Sequence, residues 1–206
     1  MKYLDKIYTQ MDIVIARYNE KLEWLNIFDD YKDVKLYIYD KSQNQKYVGR
    51  SMMTVCCLDN VGREAHSFLH HIVTNYDNLA NHTMFLQGHP FDHEITEIQL
   101  QSFVECENKG NIIPISSKRF FRCNKNGGPH HNGLPVGETY KRLLPKSADI
   151  DIYSFSSGAQ YLVAKECIRN KPLKFWEKLL ELSQTDKKFP WTIERLWGYI
   201  YSAAEV

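Results

Sequence analysis

Residues 13–20 read IVIARYNE, an apolar run that changes abruptly into polar residues. The β-branched content predicts a buried strand over residues 12–16. Residues 34–39, VKLYIY, repeat the pattern and stop at the polar residues DKS. Between these two strands, Leu22, Leu25 and Phe28 lie near helical spacing. The chain therefore begins with a predicted β-α-β unit over residues 12–39, with a helix over residues 20–31.

A third core strand is predicted over residues 83–86, TMFL, and it ends in QGHPFDH. Before it, residues 60–64, NVGRE, lead into the clearest helical pattern of the chain. The apolar face of that helix comprises Ala65, Phe68, Leu69, Ile72 and Val73. Ligands of open α/β sheets bind at the carboxyl ends of the strands, so the three strand ends predict one site.

The rest of the chain gives weaker predictions. Residues 46–57 suggest a short strand, residues 118–146 a long irregular basic segment, and residues 157–163 an extended segment. Pro172 is placed to open a helix. A final helix carries Ile193, Leu196, Trp197 and Ile200, with Thr192 as a plausible cap. We expect one domain over residues 1–206, either alone or at the start of a longer protein.

Composition excludes several classes of protein. The net charge of +1 over 206 residues gives no overall attraction to nucleic acid. No apolar run reaches the roughly 20 residues of a transmembrane helix, and the start lacks a signal-peptide core. We therefore expect a soluble, cytoplasmic protein. The five cysteines form no C-x-x-C pair and are interpreted as reduced thiols, mostly in the core.

Two candidate residues belong to the strand and helix ends. Asp40 is placed to accept hydrogen bonds from a nucleobase or ribose, but it is also an ordinary turn residue. Its replacement by Ala is expected to abolish ligand binding without unfolding the protein. Arg63 begins a helix, where it would favour a phosphate. Its neighbour Glu64 is equally a plain first-turn acid stabilised by the helix dipole.

Three other groups have both a chemical and a structural interpretation. His89, Asp92 and His93 supply ligands that Mn²⁺ or Mg²⁺ accepts, although histidines that stabilise a turn are equally frequent. His66 and His70 lie four residues apart but lack an H-E-x-x-H motif, which favours surface histidines over a zinc site. Glu194, between two tryptophans, is either a general base or a surface acid.

The ordered motifs of the chain resemble a family catalogued mostly as a domain of unknown function, and that family looks like the GT-A glycosyltransferases. The motifs are DIVIARYNE, LYIYDKS, NVGREA, MFLQGHP, SGAQYLV and IERLW, and the resemblance spans roughly residues 12–201. The chain is also similar to the glycosyltransferase domain that begins a large glycan-building protein of chlorella viruses. This resemblance implies a Rossmann-like GT-A α/β/α sandwich with a mixed, mostly parallel sheet.

The resemblance also implies an activity and a site. The protein would move a sugar from a nucleotide sugar, expected to be a UDP-sugar, to a hydroxyl of a glycan acceptor, in the host cytoplasm if it is viral. The implied donor-binding residues are Arg17, Tyr18, Asp40, Arg63, Gln87, His89 and Gln160. Glu194 would be the catalytic base. Residues 87–89 lie where GT-A enzymes usually carry an Asp-x-Asp metal motif, and these residues lack it. Either the protein needs no metal, or Mn²⁺ or Mg²⁺ binding falls to His89 and Asp92.

Two other functions remain open at this stage. The lack of an Asp-x-Asp motif at residues 87–89 is consistent with a glycan-binding module that has lost catalysis. The cluster of His89, Asp92 and His93 is consistent with a metal-dependent hydrolase. The chain has no G-x-S-x-G, no Walker-type loop and no G-x-G-x-x-G after a strand, which disfavours α/β hydrolases, P-loop NTPases and dinucleotide oxidoreductases.

Overall fold

The structure is a computed structural model, which describes residues 10–42, 53–106, 109–116 and 120–203. Its strands are β1 Met11–Arg17, β2 Val34–Asp40, β3 Met53–Cys57, β4 His82–Gln87, β5 Ile112–Pro114, β6 Phe121–Asn124, β7 Ile152–Phe155 and β8 Tyr161–Ala164. Its α-helices are α1 Arg63–Asn75, α2 Glu97–Glu105, α3 Val136–Leu143, α4 Lys165–Arg169, α5 Leu173–Thr185, α6 Phe189–Glu194 and α7 Trp197–Ser202. Short 3₁₀ helices span Glu23–Phe28, Tyr76–Asn78, Pro90–His93 and Ser157–Ala159.

Within the described residues, the main sheet has six strands in the order β3-β2-β1-β4-β8-β5. β1 pairs in parallel with β2 and β4, and β2 with β3, whereas β8 runs antiparallel to β4 and β5. The register aligns Arg17 with Asp40 and Ala16 with Gln87, so three strands end at one edge. The prediction of an α/β fold with a mixed, mostly parallel sheet is confirmed.

Both faces of the sheet are covered, which explains why its central strands are nearly uninterrupted apolar runs. Val14 and Phe85 face a cluster formed with α1, α5, α6 and α7. Ile13 and Ile15 point to the other face, where they pack with the 3₁₀ helix Glu23–Phe28 and with α2. Successive side chains of a strand alternate between faces, so β1 contributes to both cores.

Several local predictions were wrong. The helix expected over residues 20–31 is only the 3₁₀ helix Glu23–Phe28. Residues 118–146 contain β6 and α3, although residues 118 and 119 lie outside the described part. The strand expected over residues 46–57 is confirmed for Met53–Cys57, which forms β3, and residues 46–52 lie outside the described part.

The end of the chain also differs from the prediction. The extended segment over residues 157–163 begins with the 3₁₀ helix Ser157–Ala159 and becomes a strand only at Tyr161. The final helix is divided into α6 and α7, so Thr192 lies inside α6 instead of capping it. Pro172 does directly precede α5, as expected.

Two predictions about burial were also wrong. Only Cys123 and Cys167 of the five free cysteines are buried. His66 is buried in the core-facing side of α1, where its Nε2 lies 3.0 Å from the Gln184 amide nitrogen. None of the helices within the described residues combines the length and apolarity needed to cross a membrane.

The core beneath α1 contains a second buried histidine. The Nδ1 atom of His71 lies 3.0 Å from the Tyr39 hydroxyl, and its Nε2 atom lies 3.8 Å from Oδ2 of buried Asp12. Burial lowers the pKa of His71 to about 3 and, with Lys41 and His70 nearby, that of His66 to about 4. Both imidazoles are therefore neutral in the folded protein at neutral pH.

These histidines predict acid sensitivity. Below pH 6.5, the usual histidine pKa, the unfolded chain takes up protons that the folded protein does not. Each histidine then lowers the free energy of unfolding by up to about 1.4 kcal/mol per pH unit. Burial is the main cause that raises the pKa values of Asp12 and Glu64, so these two acids stabilise the folded protein as the pH falls. The free energy of unfolding is measured in urea between about pH 7 and about pH 5. It should fall less steeply with decreasing pH in His71→Asn than in the wild type. Parallel pH profiles would contradict this assignment.

Candidate functional site

A pocket of about 340 Å³ lies at the carboxyl ends of β1, β2 and β4 and beside the start of α1. The chain passes from β1 to β2 and β3 on one side and returns to β4 on the other, so the pocket lies where the strand order reverses. The lining residues are Ala16, Arg17, Tyr18, Glu20, Lys41, Asn60, Arg63, Glu64, Gln87, His89 and Asp92.

Arg17 is held in this wall by Asp40. Its Nη1 atom donates to both carboxylate oxygens of Asp40, at 2.9 and 3.0 Å, and to the Ser42 hydroxyl at 2.8 Å. The backbone N–H of Ser42 also donates to Asp40. Asp40 is 0% exposed and does not line the pocket. We therefore assign Asp40 to positioning Arg17, in place of the predicted direct contact with a ligand.

The loop after β1 is stabilised by its own acid. The carboxylate of Glu20 accepts hydrogen bonds from the backbone N–H groups of Tyr18 and Asn19, at 2.7 and 3.1 Å. Gly88 lies against this carboxylate so closely that a Cβ atom there would be 2.6 Å from Oε2. The loop thus presents the half-exposed ring of Tyr18 at the pocket.

Lys41 is a buried cation of the pocket wall. Its ammonium group donates to the carbonyl oxygens of Val61 and Arg63, which connects the end of β2 to the start of α1. Burial lowers the pKa of Lys41 to about 8, although the nearby carboxylate of Glu64 opposes the change. The ammonium form therefore predominates at neutral pH.

Arg63 extends from a constrained turn. Gly62 and Arg63 both adopt positive φ angles, of 64° and 52°, immediately before the body of α1. Such a conformation is uncommon for residues other than glycine. The guanidinium carbon of Arg63 lies 4.0 Å from the centroid of the Trp191 ring, within the range of a cation–π contact. The turn and Trp191 together aim the half-exposed Arg63 at the pocket.

His89 and Asp92 form the outer wall beyond β4. His89 Nε2 lies 3.5 Å from Asp92 Oδ1, and both side chains are at least half exposed. The described residues contain no group of three or more His, Cys, Asp or Glu side chains arranged to hold a metal ion. The side chain of His93 lies outside the described part of the structure. A metal at His89 and Asp92 stays a prediction.

Two predicted site residues lie behind the pocket. Gln160 is fully buried, and its amide donates to the carbonyl oxygens of Pro90 and Ile115 while accepting from the backbone N–H of Gln87. Glu194 is the last residue of α6 and does not line the pocket. Gln160 therefore holds the loop after β4, and its direct contact with a donor is not supported by this geometry.

The structure brings together six predicted residues: Arg17, Tyr18, Arg63, Gln87, His89 and Asp92. Glu20 and Asn60, from the YNE and NVGR segments of the resemblance, also line it, and the structure adds Lys41 and Glu64. Lys41 directly follows a strand and Glu64 lies in the first turn of a helix, and those positions were the available signal. The burial of Lys41 and the direction of the Glu64 side chain had no signal in the sequence.

The fold and the site define an α/β protein with a charged pocket at the strand ends of its sheet. The chain belongs to the family described as "Protein of unknown function (DUF3431)", whose model matches residues 13–206. No curated protein and no solved structure was found to match the chain.

Proposed function

We propose that this protein is a glycosyltransferase that moves a sugar from a nucleotide sugar, a UDP-sugar in the first instance, to a hydroxyl of a glycan acceptor. The observation that supports this proposal best is the pocket at the reversal of strand order, where Arg17, Lys41 and Arg63 meet from β1, β2 and α1. Its volume of about 340 Å³ falls within the usual range of small-molecule sites.

The cations suit a diphosphate. Arg63 and Lys41 flank the start of α1, and its N-cap residue, Gly62, has no side chain to cap the helix. Among the described residues, only the N–H of Glu64 is bonded to a first-turn carboxylate, so the helix dipole and the other N–H groups favour an anion there. Arg17 approaches the same pocket from β1. During transfer, negative charge grows on the leaving diphosphate, and fixed cations stabilise it without reorganisation.

The remaining walls suit the other parts of a nucleotide sugar. The exposed ring of Tyr18 offers an apolar face to a base, while Asn60 and Gln87 offer amides to hydroxyl groups. We extend the proposal to a Rossmann-like GT-A fold, which the order β3-β2-β1-β4 and the antiparallel β8 favour. The resemblance of the ordered motifs supports the same fold and activity.

A divalent cation is part of the proposal. His89 and Asp92 supply one nitrogen and one oxygen ligand, which fits Mn²⁺ or Mg²⁺ only if diphosphate oxygens and water complete the coordination. Such a cation would neutralise charge on the diphosphate. We therefore expect metal binding to depend on the nucleotide.

Calorimetric titration with UDP and a panel of UDP-sugars tests the function, with Mn²⁺ and again after EDTA, while released UDP is followed in parallel. We expect saturable binding that weakens after EDTA. Arg63→Ala should weaken UDP binding roughly 10- to 100-fold, because a charge-assisted contact contributes about 1.5–3 kcal/mol.

Arg169→Ala is the matched control. Arg169 also stacks on an aromatic ring, that of Tyr76 at 5.0 Å, but it lies outside the pocket. Its replacement should leave UDP affinity unchanged. Absence of binding to every nucleotide under both conditions would refute the proposed function, and equal losses in the two variants would refute the site.

A further inference from the structure

Glu64 is an acid of the pocket wall, and its position in the first turn of α1 does not explain why its side chain is buried. Its side chain is only 10% exposed, yet it lines the pocket. An acid that merely stabilises a helix dipole needs no burial, because that interaction is made at the surface. Besides a hydrogen bond with its own backbone N–H, the carboxylate of Glu64 lies with Oε2 3.5 Å from Nε of Arg63, inside the proposed donor site.

Glu194 contrasts with Glu64 in its contacts. Its Oε1 accepts a hydrogen bond from the backbone N–H of Gly158 at 3.0 Å, and its Oε2 pairs with Nη1 of Arg195 at 2.8 Å. Arg195 is itself buried. Both oxygens of Glu194 therefore hold neighbouring segments, and Glu194 does not line the pocket.

The charges around Glu64 favour its use as a base. Burial is the main cause that raises the pKa of Glu64, and the negative charge of Glu194 acts in the same direction. Arg63, the backbone N–H of Glu64 and Lys41 lower it. A general base works best when its pKa approaches the working pH. Arg63 belongs to α1, as Glu64 does, Glu194 is the last residue of α6, and Lys41 directly follows β2.

We infer that Glu64 is the general base of the proposed transfer and that Glu194 is a positioning residue behind it. This inference rests on the proposed function. The carboxylate of Glu64 accepts the proton of the acceptor hydroxyl while that oxygen bonds to the anomeric carbon. The bond from the anomeric carbon to the diphosphate breaks, and its electron pair leaves with UDP.

The local structure fixes this carboxylate. The two positive φ angles at Gly62 and Arg63 set where α1 begins, and the contact of Arg63 with Trp191 joins that turn to α6. Glu194 lies three residues beyond Trp191 on α6. The helix that carries the proposed positioning acid therefore also anchors the turn that carries the proposed base.

The test compares Glu64→Gln with Glu194→Gln and with Glu97→Gln, the exposed first-turn acid of α2. UDP affinity is measured by calorimetry, and the rate of UDP release is measured with UDP-glucose, UDP-galactose and UDP-N-acetylglucosamine, with water as acceptor. We expect Glu64→Gln to release UDP about 100-fold or more slowly, as for loss of a general base. Its UDP affinity should stay within about threefold of the wild type, which also reports an intact fold.

Rescue separates catalysis from positioning. Formate added to Glu64→Ala should restore UDP release, because a free carboxylate replaces the missing base. The assignment would be overturned if the rate of UDP release fell about 100-fold in Glu194→Gln while Glu64→Gln kept at least about a third of the wild-type rate. Absence of UDP binding by the wild type would instead refute the proposed function, and the role of Glu64 with it.

Discussion

Replacing Asp40 with Ala is expected to destabilise the protein by about 3–5 kcal/mol, which is the usual cost of removing one partner from a buried ion pair. Asp40 is fully buried and accepts hydrogen bonds from Arg17 and from both the backbone and the hydroxyl of Ser42. Its loss leaves the largely buried guanidinium of Arg17 without that carboxylate. The sequence-based expectation of lost binding without unfolding is therefore revised.

Urea unfolding of Asp40→Ala and Asp92→Ala measures this effect. Asp92 also lies at a strand-end pocket beside a basic side chain, but it is 71% exposed. Exposed ion pairs contribute little, so Asp92→Ala should change the free energy of unfolding by less than about 1 kcal/mol. A similar small change in both variants would show that Asp40 is not a structural support of the pocket.

The central strands were predictable because burial on both faces leaves a simple pattern. Apolar runs such as residues 13–16 and 83–86 have few alternatives in a chain of this size. The segment after β1 was less predictable. Leu22, Leu25 and Phe28 do face the core, but the segment forms a 3₁₀ helix, so apolar spacing located its buried face and not its geometry.

The site was predictable in position more than in detail. Residues that end strands, such as Arg17 and Gln87, had to lie at one edge once the strands were parallel. The direction of each side chain depends on long-range contacts that the sequence does not display. Gln160 lies at the same edge because β8 is antiparallel to β4, yet its amide turns inward to Pro90 and Ile115.

Glu64 and Glu194 illustrate the same limit for the acids. Both begin or end a helix, and the sequence favoured Glu194 because tryptophans flank it. The structure engages Glu194 with Gly158 and Arg195, and it leaves Glu64 at the pocket. The difference follows from how α6 packs against α1, which no local pattern encodes.

Replacing Gly62 with Ala is expected to destabilise the protein by roughly 2–5 kcal/mol, from about 1–2 kcal/mol for a left-handed backbone and about 1–3 kcal/mol for overpacking. Gly62 has φ +64°, and a Cβ atom there would lie 2.4 Å from the backbone oxygen of Ser183 and 2.7 Å from Cβ of His66. Neither contact yields easily, because one belongs to the backbone of α5 and the other to α1 itself. The start of α1 must therefore shift.

Gly133→Ala provides the matched control for this variant. Gly133 has φ +87°, but nothing lies within 4 Å of a Cβ atom built there. Gly133→Ala should therefore lower the free energy of unfolding only by the cost of the left-handed backbone, about 1–2 kcal/mol. The excess loss of free energy of unfolding in Gly62→Ala, measured by urea unfolding, reports the two clashes together, with Ser183 of α5 and with His66 of α1. Since α1 carries Arg63 and Glu64, Gly62→Ala should also weaken UDP binding under conditions where it remains folded. Equal destabilisation of the two variants would contradict the close packing of α1 on α5 that holds this side of the pocket.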